Sequence, residues 1–424
     1  KIRTPWLMLL LVTCTHVYAP SKIPWEDLKY IFGQIIYGGH IVNDWDRLLA
    51  MTYLDFFMKD SLLDESELMP FCEQERGVSF MSPQPTTYDA YIKHVDENLA
   101  GDTPLAFGMH PNAEIGFRTD QSETLFKILQ ELQPQDAGSS GGDDEEGGNL
   151  TPAGVAEQVL NDIIDRFGDK KFDMDDIEGS IDDKGPYQNV FLQECEAFNV
   201  ILAEMMRSLL ELNQGLAGEL TMSGKMEALQ SCMFMDRVPG PWAHLAWPSL
   251  RSLAMWLTDL NMRYDQFLDW TGNPAEIPRL TWISGFRNPQ SFLTAIKQIS
   301  AQATNQPLDK MVTSTEVTKK MGIDELDSNS RDGAYVNGFF IEGARWNTSN
   351  GVLEPSKPKE MFLQMPIINV KSILAERRDL KSYQCPCYGT RQRGPTYIFV
   401  AQLKSKDPTA RWIMAGVAML TDIE

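Results

Sequence analysis

Few side chains in this chain are arranged for catalysis or ligand binding. The 424 residues contain no G-x-x-x-x-G-K-S/T sequence, so no phosphate-binding loop is encoded. The H-E-x-x-H and paired C-x-x-C sequences are also absent, which removes the usual signals of a zinc site. The five histidines do not cluster along the chain: they are His16, His40, His94, His110 and His244. We therefore predict no catalytic residue, no cofactor-binding residue and no metal ligand in this chain.

The cysteines give no disulfide framework. Six are scattered over the chain, which is typical of a reducing compartment: Cys14, Cys72, Cys195, Cys232, Cys385 and Cys387. Cys385 and Cys387 are two residues apart, so on a strand they would lie on one face. A metal-binding pair is one interpretation, but no second cysteine pair exists and the last histidine is His244. Packing of two small apolar side chains is the preferred interpretation.

Negative charge is concentrated in one segment. The formal net charge is −21, so nucleic acids and anionic membranes are poor partners and we expect neither. Residues 136–184 hold 15 acidic and 4 basic side chains, a net charge of −11. Within them, 136–149 (DAGSSGGDDEEGGN) is predicted to be a mobile loop, because it has too little apolar surface to bury. A Ca²⁺ site at 143–146 is the alternative, although the ligand spacing of a calcium loop is missing.

The N-terminal residues mimic a secretory signal. Lys1 and Arg3 precede an apolar run at 6–12, and Val17-Tyr18-Ala19 stands where a V-x-A cleavage site would. Two N-x-S/T sequons occur, at Asn149 and Asn347. Against this, residue 1 is not Met, and the run is too short to span a bilayer. We leave 1–20 unassigned, as a misread segment, a fragment junction or a buried helix. A secreted or lumenal β-domain glycoprotein is the alternative function.

The elements that would position any site begin with helices. Apolar residues recur at helical spacing from Lys22, and Gly38-Gly39 ends that helix. Asn43 or Asp44 is expected to cap the next one. Residues 60–104 are predicted to be a loop with a short helix near 88–99, and 122–132 a further short helix.

Two long amphipathic helices are predicted next, because apolar residues recur at alternating spacings of four and three. The two stripes are Phe191, Cys195, Phe198, Leu202, Met205, Leu209 and Leu212, then Leu250, Leu253, Leu257, Leu260, Tyr264 and Phe267. We interpret 188–270 as a helical bundle. A following helix should begin with Asn288 as its cap and Pro289 at its first position. The tryptophans at 242, 247, 256, 270 and 282 are predicted to be core or domain-interface residues.

The last quarter is rich in β-branched and aromatic residues. Gly333–Trp346 (GAYVNGFFIEGARW) is predicted to be a buried strand punctuated by glycines, with further strands at 397–400 and 411–420. Arg345-Trp346 could be a ligand platform, but a packed strand end is preferred. The predicted fold class is α+β: a set of N-terminal helices, a helical bundle, and then an antiparallel β-barrel-like unit.

Several blocks resemble one family. The GAYVNGFFIEGARW block, YQCPCY at 383–388, RGPTY at 393–397 and RWI at 411–413 are similar, in order and spacing, to the C-terminus of an axonemal dynein heavy chain. The outer-arm β type is the most similar. YGGHIVNDWDR at 37–47 and HPNAEI at 110–115 resemble the helical lid of the sixth AAA module of that family. WISGFRNPQSFLTA at 282–295 also resembles a family block, and the resemblance covers 21–424.

The resemblance implies a domain plan and a function. Residues 21–118 would form the AAA lid, 119–272 the helical part of the C-terminal domain and 273–424 its β-rich part. The parent would be an ATP-driven, minus-end-directed microtubule motor of the axoneme in cilia and flagella. ATP and Mg²⁺ would bind the parent chain and not this segment, which would not be an enzyme by itself. This piece would brace the AAA ring in cis and modulate motor output, with other dynein arm subunits and, through the parent chain, the microtubule as partners.

Arg47 is the one residue for which the resemblance suggests a catalytic role. It would lie in a lid helix, where other AAA modules place an arginine that touches nucleotide. The preferred interpretation is an ion pair with Asp44, Asp46 or a neighbouring helix, because the family's sixth module is not thought to bind nucleotide. The Asp44-Trp45-Asp46-Arg47 cluster would then orient the lid against the ring.

Overall fold

The computed structural model describes residues 23–60, 87–98, 104, 109–131, 152–379 and 381–423. The unassigned segment 1–20, the acidic segment 136–149 with its alternative Ca²⁺ site, and the sequon at Asn149 lie outside the described residues. So does most of the loop predicted at 60–104. No helix in these ranges combines the length and apolar character needed to cross a bilayer.

Among the described residues, four α-helices precede the bundle: α1 Trp25–Tyr30, α2 Asp44–Phe57, α3 Tyr88–Asn98 and α4 Pro111–Glu131. A π-helical segment, Ile31–Ile36, extends α1 and packs closely on α2, since a Cβ at Gly33 would lie 2.1 Å from the sulfur of Met51. Asn43 caps α2 as predicted, because its side-chain oxygen accepts the Trp45 N–H at 2.9 Å.

Helix α4 is longer than the sequence suggested. The predicted helix at 122–132 begins eleven residues earlier, at Pro111, and so absorbs most of the HPNAEI block. Proline is favoured in a first helical turn, and no second proline interrupts the 21 residues. The helix therefore runs across the boundary predicted at residue 118.

The bundle consists of α5 Pro152–Phe167, α6 Met174–Gly179, α7 Pro186–Leu216, α8 Gly224–Phe234, α9 Gly240–Leu245 and α10 Leu253–Thr271. All seven residues of the first predicted stripe are buried on α7, which confirms that helix. In the second stripe the placement of Leu250 on the buried helix face was wrong, because α10 starts only at Leu253 and Leu250 is exposed. The carboxylate of Asp236 fixes that start by accepting the Ala254 N–H at 2.9 Å.

Helix α11, Pro289–Thr304, begins at Pro289 with Asn288 at its N-cap position, as predicted, but the expected side-chain capping bond does not form. The Asn288 side chain makes no capping hydrogen bond. Instead the buried carboxylate of Glu194, from α7, accepts the backbone N–H of Arg287 at 2.8 Å and of Asn288 at 3.0 Å. Burial raises the pKa of Glu194, and the two N–H donors oppose that shift. The bundle thus holds the two backbone N–H groups that immediately precede α11.

The strands in the described part of the chain form three separate sheets. Their bounds are β1 Thr281–Trp282, β2 Met311–Val317, β3 Ala334–Asn337, β4 Phe340–Glu342, β5 Ala344–Asn347, β6 Val352–Pro355, β7 Phe362–Gln364, β8 Ile368–Leu374, β9 Tyr383–Tyr388, β10 Tyr397–Leu403 and β11 Ala418–Leu420. The orders are β1-β3-β8-β2, β10-β9-β11-β4-β7 and β5-β6. The α+β class is confirmed. The barrel-like, purely antiparallel arrangement is wrong, since β1 runs parallel to β3 and β11 parallel to β9, and no closed barrel forms among the described strands.

Two glycines explain why a barrel was the wrong expectation. Gly338 (φ 91°) and Gly343 (φ 79°) break the predicted single strand into β3, β4 and β5, which enter three different sheets. A Cβ at Gly338 would lie 2.4 Å from a ring carbon of Trp282, and one at Gly343 would lie 2.9 Å from the Ala415 carbonyl oxygen. Both positions therefore need glycine for its backbone conformation and for close packing.

The predicted C-terminal strand at 411–420 is half helix. Residues Thr409–Met414 form a short helix, α12, and only Ala418–Leu420 form the strand β11. Trp412 is buried, but on the helix. Pro408 immediately precedes α12 and Gly416 (φ 68°) separates it from β11.

Candidate functional site

The thiols and histidines form no reactive centre in the described part of the molecule. No group of three or more His, Cys, Asp or Glu side chains there is placed to hold a metal ion. Cys385 and Cys387 are fully buried on β9, and burial raises the pKa of both thiols. Thiolate formation is therefore suppressed, and the packing interpretation of this pair is confirmed.

The Arg47 side chain hydrogen-bonds the backbone of the N-terminal helical region. It lies on α2 and its Nη2 donates to the Ile41 carbonyl at 2.9 Å. The predicted ion pair with Asp44 or Asp46 does not form among the described residues. The Nε atom is buried and has no hydrogen-bond partner within those residues. The guanidinium thus holds the turn that leads into α2.

Asn112, at the start of α4, binds a loop of the sheet region. Its Nδ2 donates to the carbonyls of Lys357 at 2.9 Å and Glu360 at 2.8 Å, and its Oδ1 accepts the Lys359 N–H at 2.7 Å. The side chain is only 6% exposed. Lys359 has a φ of 72°, a strained conformation for a non-glycine residue. The side-chain amide of Asn112 therefore hydrogen-bonds three backbone groups of a tight loop about 245 residues away.

Further contacts widen this interface, which we call the lid–sheet interface and define by Asn112, Asp120, Phe362 and Arg391. Nη2 of Arg391 lies 2.7 Å from Oδ1 of Asp120 on α4, and the guanidinium stacks over the Phe362 ring at 5.4 Å from its centroid. Helix α2 packs against α12 alongside. Hydrogen bonds from Asn112 to the loop backbone, an ion pair and the packing of α2 on α12 together hold the N-terminal helices against the sheet region.

A second polar junction joins the bundle to the sheets. Arg263 on α10 is 4% exposed, and its Nε lies 3.1 Å from the carboxylate of Asp259, one turn earlier. Its Nη1 donates to the carbonyls of Ser284 and Phe286. The guanidinium packs over the Trp247 ring at 3.9 Å from the centroid and the Trp282 ring at 5.2 Å. Burial lowers the pKa of Arg263 to about 10 while Asp259 opposes the shift, so the group is cationic at neutral pH.

The C-terminal residues enter this junction. Arg251, before α10, forms a two-oxygen pair with Asp422, with nitrogen–oxygen distances of 3.0–3.2 Å. The Ser284 hydroxyl lies 3.1 Å from the Thr421 carbonyl, to which it donates. We call Arg251, Asp259, Arg263 and Asp422 the buried charge cluster. It links the bundle, the turn after β1 and the C-terminus through directional contacts.

Sequence reasoning found the blocks but not these roles. The HPNAEI block pointed to Asn112 only through the family resemblance, and the buried charge cluster gave one local signal, the Asp259–Arg263 spacing of four. The five tryptophans were predicted as core or interface residues, and this is confirmed: four are buried and Trp282 is half-buried against Arg263.

Two dynein family profiles match the sequence. The profile for the AAA lid domain of the dynein heavy chain matches residues 7–113, and the profile for the C-terminal domain of that protein matches 119–421. The first match includes part of the segment 1–20 that the sequence interpretation left unassigned. The predicted domain boundaries stay predictions.

Individual relatives agree with the profiles. The chain is 45% identical to the flagellar outer arm dynein beta chain of Chlamydomonas reinhardtii, over 95% of this chain and 8% of that protein. It is 42% identical to the ciliary dynein beta chain of Heliocidaris crassispina and to human dynein axonemal heavy chain 17, in each case over 97% of this chain and 9% of the relative. The chain thus spans less than a tenth of the length of these relatives.

The secreted-glycoprotein alternative finds no support in these matches. Asn347, the sequon within the described residues, also has an engaged side chain: its Nδ2 donates to Glu354 at 2.6 Å and its Oδ1 accepts the Asn350 N–H at 3.0 Å. A glycan on Nδ2 would have to displace the first of these bonds.

Proposed function

This chain belongs to the dynein heavy chain family, and we propose that it is the C-terminal part of an axonemal heavy chain of the outer-arm β type. The parent would be an ATP-driven, minus-end-directed microtubule motor in cilia or flagella. ATP and Mg²⁺ would be bound by the parent's other modules. In this proposal the chain braces the AAA ring in cis and modulates motor output, and other arm subunits are its further partners.

The lid–sheet interface carries the proposal. A brace must transmit displacement between the units that it joins, and packed elements with directional contacts do so better than a flexible tether. Asn112 ties the start of α4 to the loop 356–360, and Arg391 ties the middle of α4 to the five-stranded sheet region. Movement of the lid would therefore be passed to the sheets.

Asn112→Ala should loosen this brace. The variant leaves the Lys359 N–H and two carbonyls without their partner, at a cost of about 1–3 kcal/mol for the buried donor. We expect faster amide hydrogen exchange in 356–362 of the chain, and an altered microtubule gliding velocity for the full heavy chain. Asn161→Ala, an exposed asparagine on α5, is the matched control. If the amide exchange rate in 356–362 is unchanged, Asn112 does not hold this loop. If exchange is faster but the gliding velocity is unchanged, the bracing role is contradicted.

The purified 424-residue chain should neither bind nor hydrolyse ATP. The absence of a phosphate-binding loop motivates this expectation, and Arg47 is engaged with the Ile41 carbonyl. Isothermal titration with ATP and Mg²⁺, together with a phosphate-release assay, would test it. Micromolar binding that is lost in Arg47→Ala would show that the lid arginine does touch nucleotide.

A further inference from the structure

Residues 409–422 contact the N-terminal helices, the sheets and the bundle. We call this segment the C-terminal strap; it comprises α12, the turn at Gly416, β11 and the two residues that follow β11. Helix α12 packs on α2 of the N-terminal helices. Strand β11 lies inside the five-stranded sheet, and Asp422 pairs with Arg251, just before the bundle helix α10. One continuous stretch of backbone therefore joins the N-terminal helices to the bundle through the sheet.

The turn between α12 and β11 is the place where the strap can bend. Gly416 is the one residue of the strap with a positive φ, at 68°, and its backbone turns the chain from the helix into the strand. Met109, which precedes α4, stands over this turn: a Cβ at Gly416 would lie 3.6 Å from the Met109 Cε atom. The N-terminal helical region therefore contacts the strap at α12 and again at the turn.

Arg393 fixes this turn to the sheet. Its Nη2 donates to the Gly416 carbonyl at 3.0 Å and lies 2.6 Å from a carboxylate oxygen of Glu342, on β4. Arg393 has a φ of 56°, a conformation that a non-glycine residue keeps only where its surroundings enforce it. Because one guanidinium binds both β4 and the turn, α12 cannot swing about Gly416 without pulling on the sheet.

Beyond the turn the strap has no slack. Residues 417–420 are at most 2% exposed, and β11 pairs with β4 on one side and with β9 on the other. The Tyr383 hydroxyl donates to the Val417 carbonyl at 2.7 Å. The Thr421 N–H donates to the Tyr388 carbonyl at 3.0 Å, and the Thr421 carbonyl accepts the Ser284 hydroxyl at 3.1 Å. A strand that is paired on both edges and closely packed passes a displacement on to its far end.

We propose that the C-terminal strap is a conformational relay between the N-terminal helices and the bundle, and that Arg393 is the positioning residue that makes it rigid. A displacement of α2 or Met109 shifts α12 and the turn. Because Arg393 fixes the turn, the displacement also shifts β11 and, with it, the Arg251–Asp422 pair before α10. The relay goes beyond the bracing proposal, since it lies wholly within this chain and operates without the rest of a heavy chain.

Amide hydrogen exchange in the purified 424-residue chain tests the relay. Met109→Ala removes the side chain over the turn and should speed exchange in 409–417. It should also speed exchange in 251–256 about twofold or more, the lower end of coupling along such paths. The two regions are separated by the length of the strand, roughly 20 Å, and sites so far apart are ordinarily independent. Met321→Ala, at an exposed position on a loop of the sheet region, is the matched control and should change neither region.

Arg393→Gln should disconnect the two ends of the strap. In this background Met109→Ala should still speed exchange in 409–417 but leave 251–256 unchanged, because α12 can then move about Gly416. Arg377→Gln, at an exposed position between β8 and β9, is the control and should preserve the response of 251–256. If Met109→Ala speeds exchange only in 409–417 of the natural chain, the strap is no relay. If the response of 251–256 survives in Arg393→Gln, Arg393 is not the connection.

The relay must also act in the opposite direction, because coupling between two sites is reciprocal. Asp422→Asn weakens the pair with Arg251 at the bundle end and should speed exchange in 409–417 about twofold or more. This variant leaves the N-terminal helices untouched, so it tests the proposal even if Met109→Ala unfolds them. Unchanged exchange in 409–417 of Asp422→Asn would overturn the relay.

Discussion

A chain that ends at Gly416 should lose the cooperative folding of its five-stranded sheet. The deletion removes β11, which lies in the middle of the order β10-β9-β11-β4-β7. Without it β9 and β4 would be separated by two strand spacings, roughly 10 Å, and could not pair. Val417, Ala418, Met419 and Leu420 are all at most 2% exposed. Complete burial of a Val, Met or Leu side chain is worth about 1.5–3 kcal/mol, so the lost burial rivals the whole stability of a typical domain, about 5–15 kcal/mol.

The deletion also leaves polar groups without partners. The buried Tyr383 hydroxyl donates to the Val417 carbonyl at 2.7 Å, and Arg251 loses Asp422. Near-UV circular dichroism and amide hydrogen exchange across β4, β7 and β9 would measure the outcome. A chain ending at Asp422 is the control, because it keeps β11 and the Arg251 pair and should unfold within about 1 kcal/mol of the natural chain. Native-like protection of β9 in the shorter chain would mean that β11 is dispensable.

Local periodicity made the helices predictable. The stripe from Phe191 to Leu212 is set by the 3.6-residue repeat, and every predicted member is buried. The cap at Asn43 was equally predictable, because a capping side chain bonds a backbone N–H only two residues away. The glycines at 338 and 343 were predicted to punctuate one strand, but nothing local determines that the strand breaks there and that its pieces join different sheets.

Non-local partners account for what the sequence missed. Glu194 binds the backbone just before a helix 94 residues later, and Asn112 binds a loop about 245 residues later. Such pairings have no short-range signature. The strand predicted at 411–420 was wrong for another reason. Its residues are apolar on both faces, and a short apolar run fits a buried helix as well as a buried strand. Trp412 is buried in either arrangement, so burial was predictable and backbone conformation was not.

Asp259→Ala should be the most destabilising single charge removal in the bundle. The substitution leaves the Arg263 guanidinium buried with two carbonyls and two tryptophan rings but without its directly paired carboxylate. Breaking one partner of a buried ion pair costs about 3–5 kcal/mol. Urea unfolding of the natural chain and the variant would measure the free-energy difference. Asp162→Ala removes the same i,i+4 partner from an exposed arginine, Arg166, and should cost no more than about 0.5 kcal/mol.

The double variant Asp259→Ala/Arg263→Met then separates charge from packing. Methionine can fill the space between Trp247 and Trp282 without a charge, so the double variant should be more stable than Asp259→Ala alone. The free energy of unfolding that the double variant still lacks, relative to the natural chain, would measure the hydrogen bonds that Arg263 donates to the Ser284 and Phe286 carbonyls. If instead the two substitutions simply add, Arg263 is held by those carbonyls and rings and not by Asp259. The junction between bundle and sheets would then depend on the guanidinium's hydrogen bonds and stacking, and the Asp259–Arg263 pairing would be incidental to it.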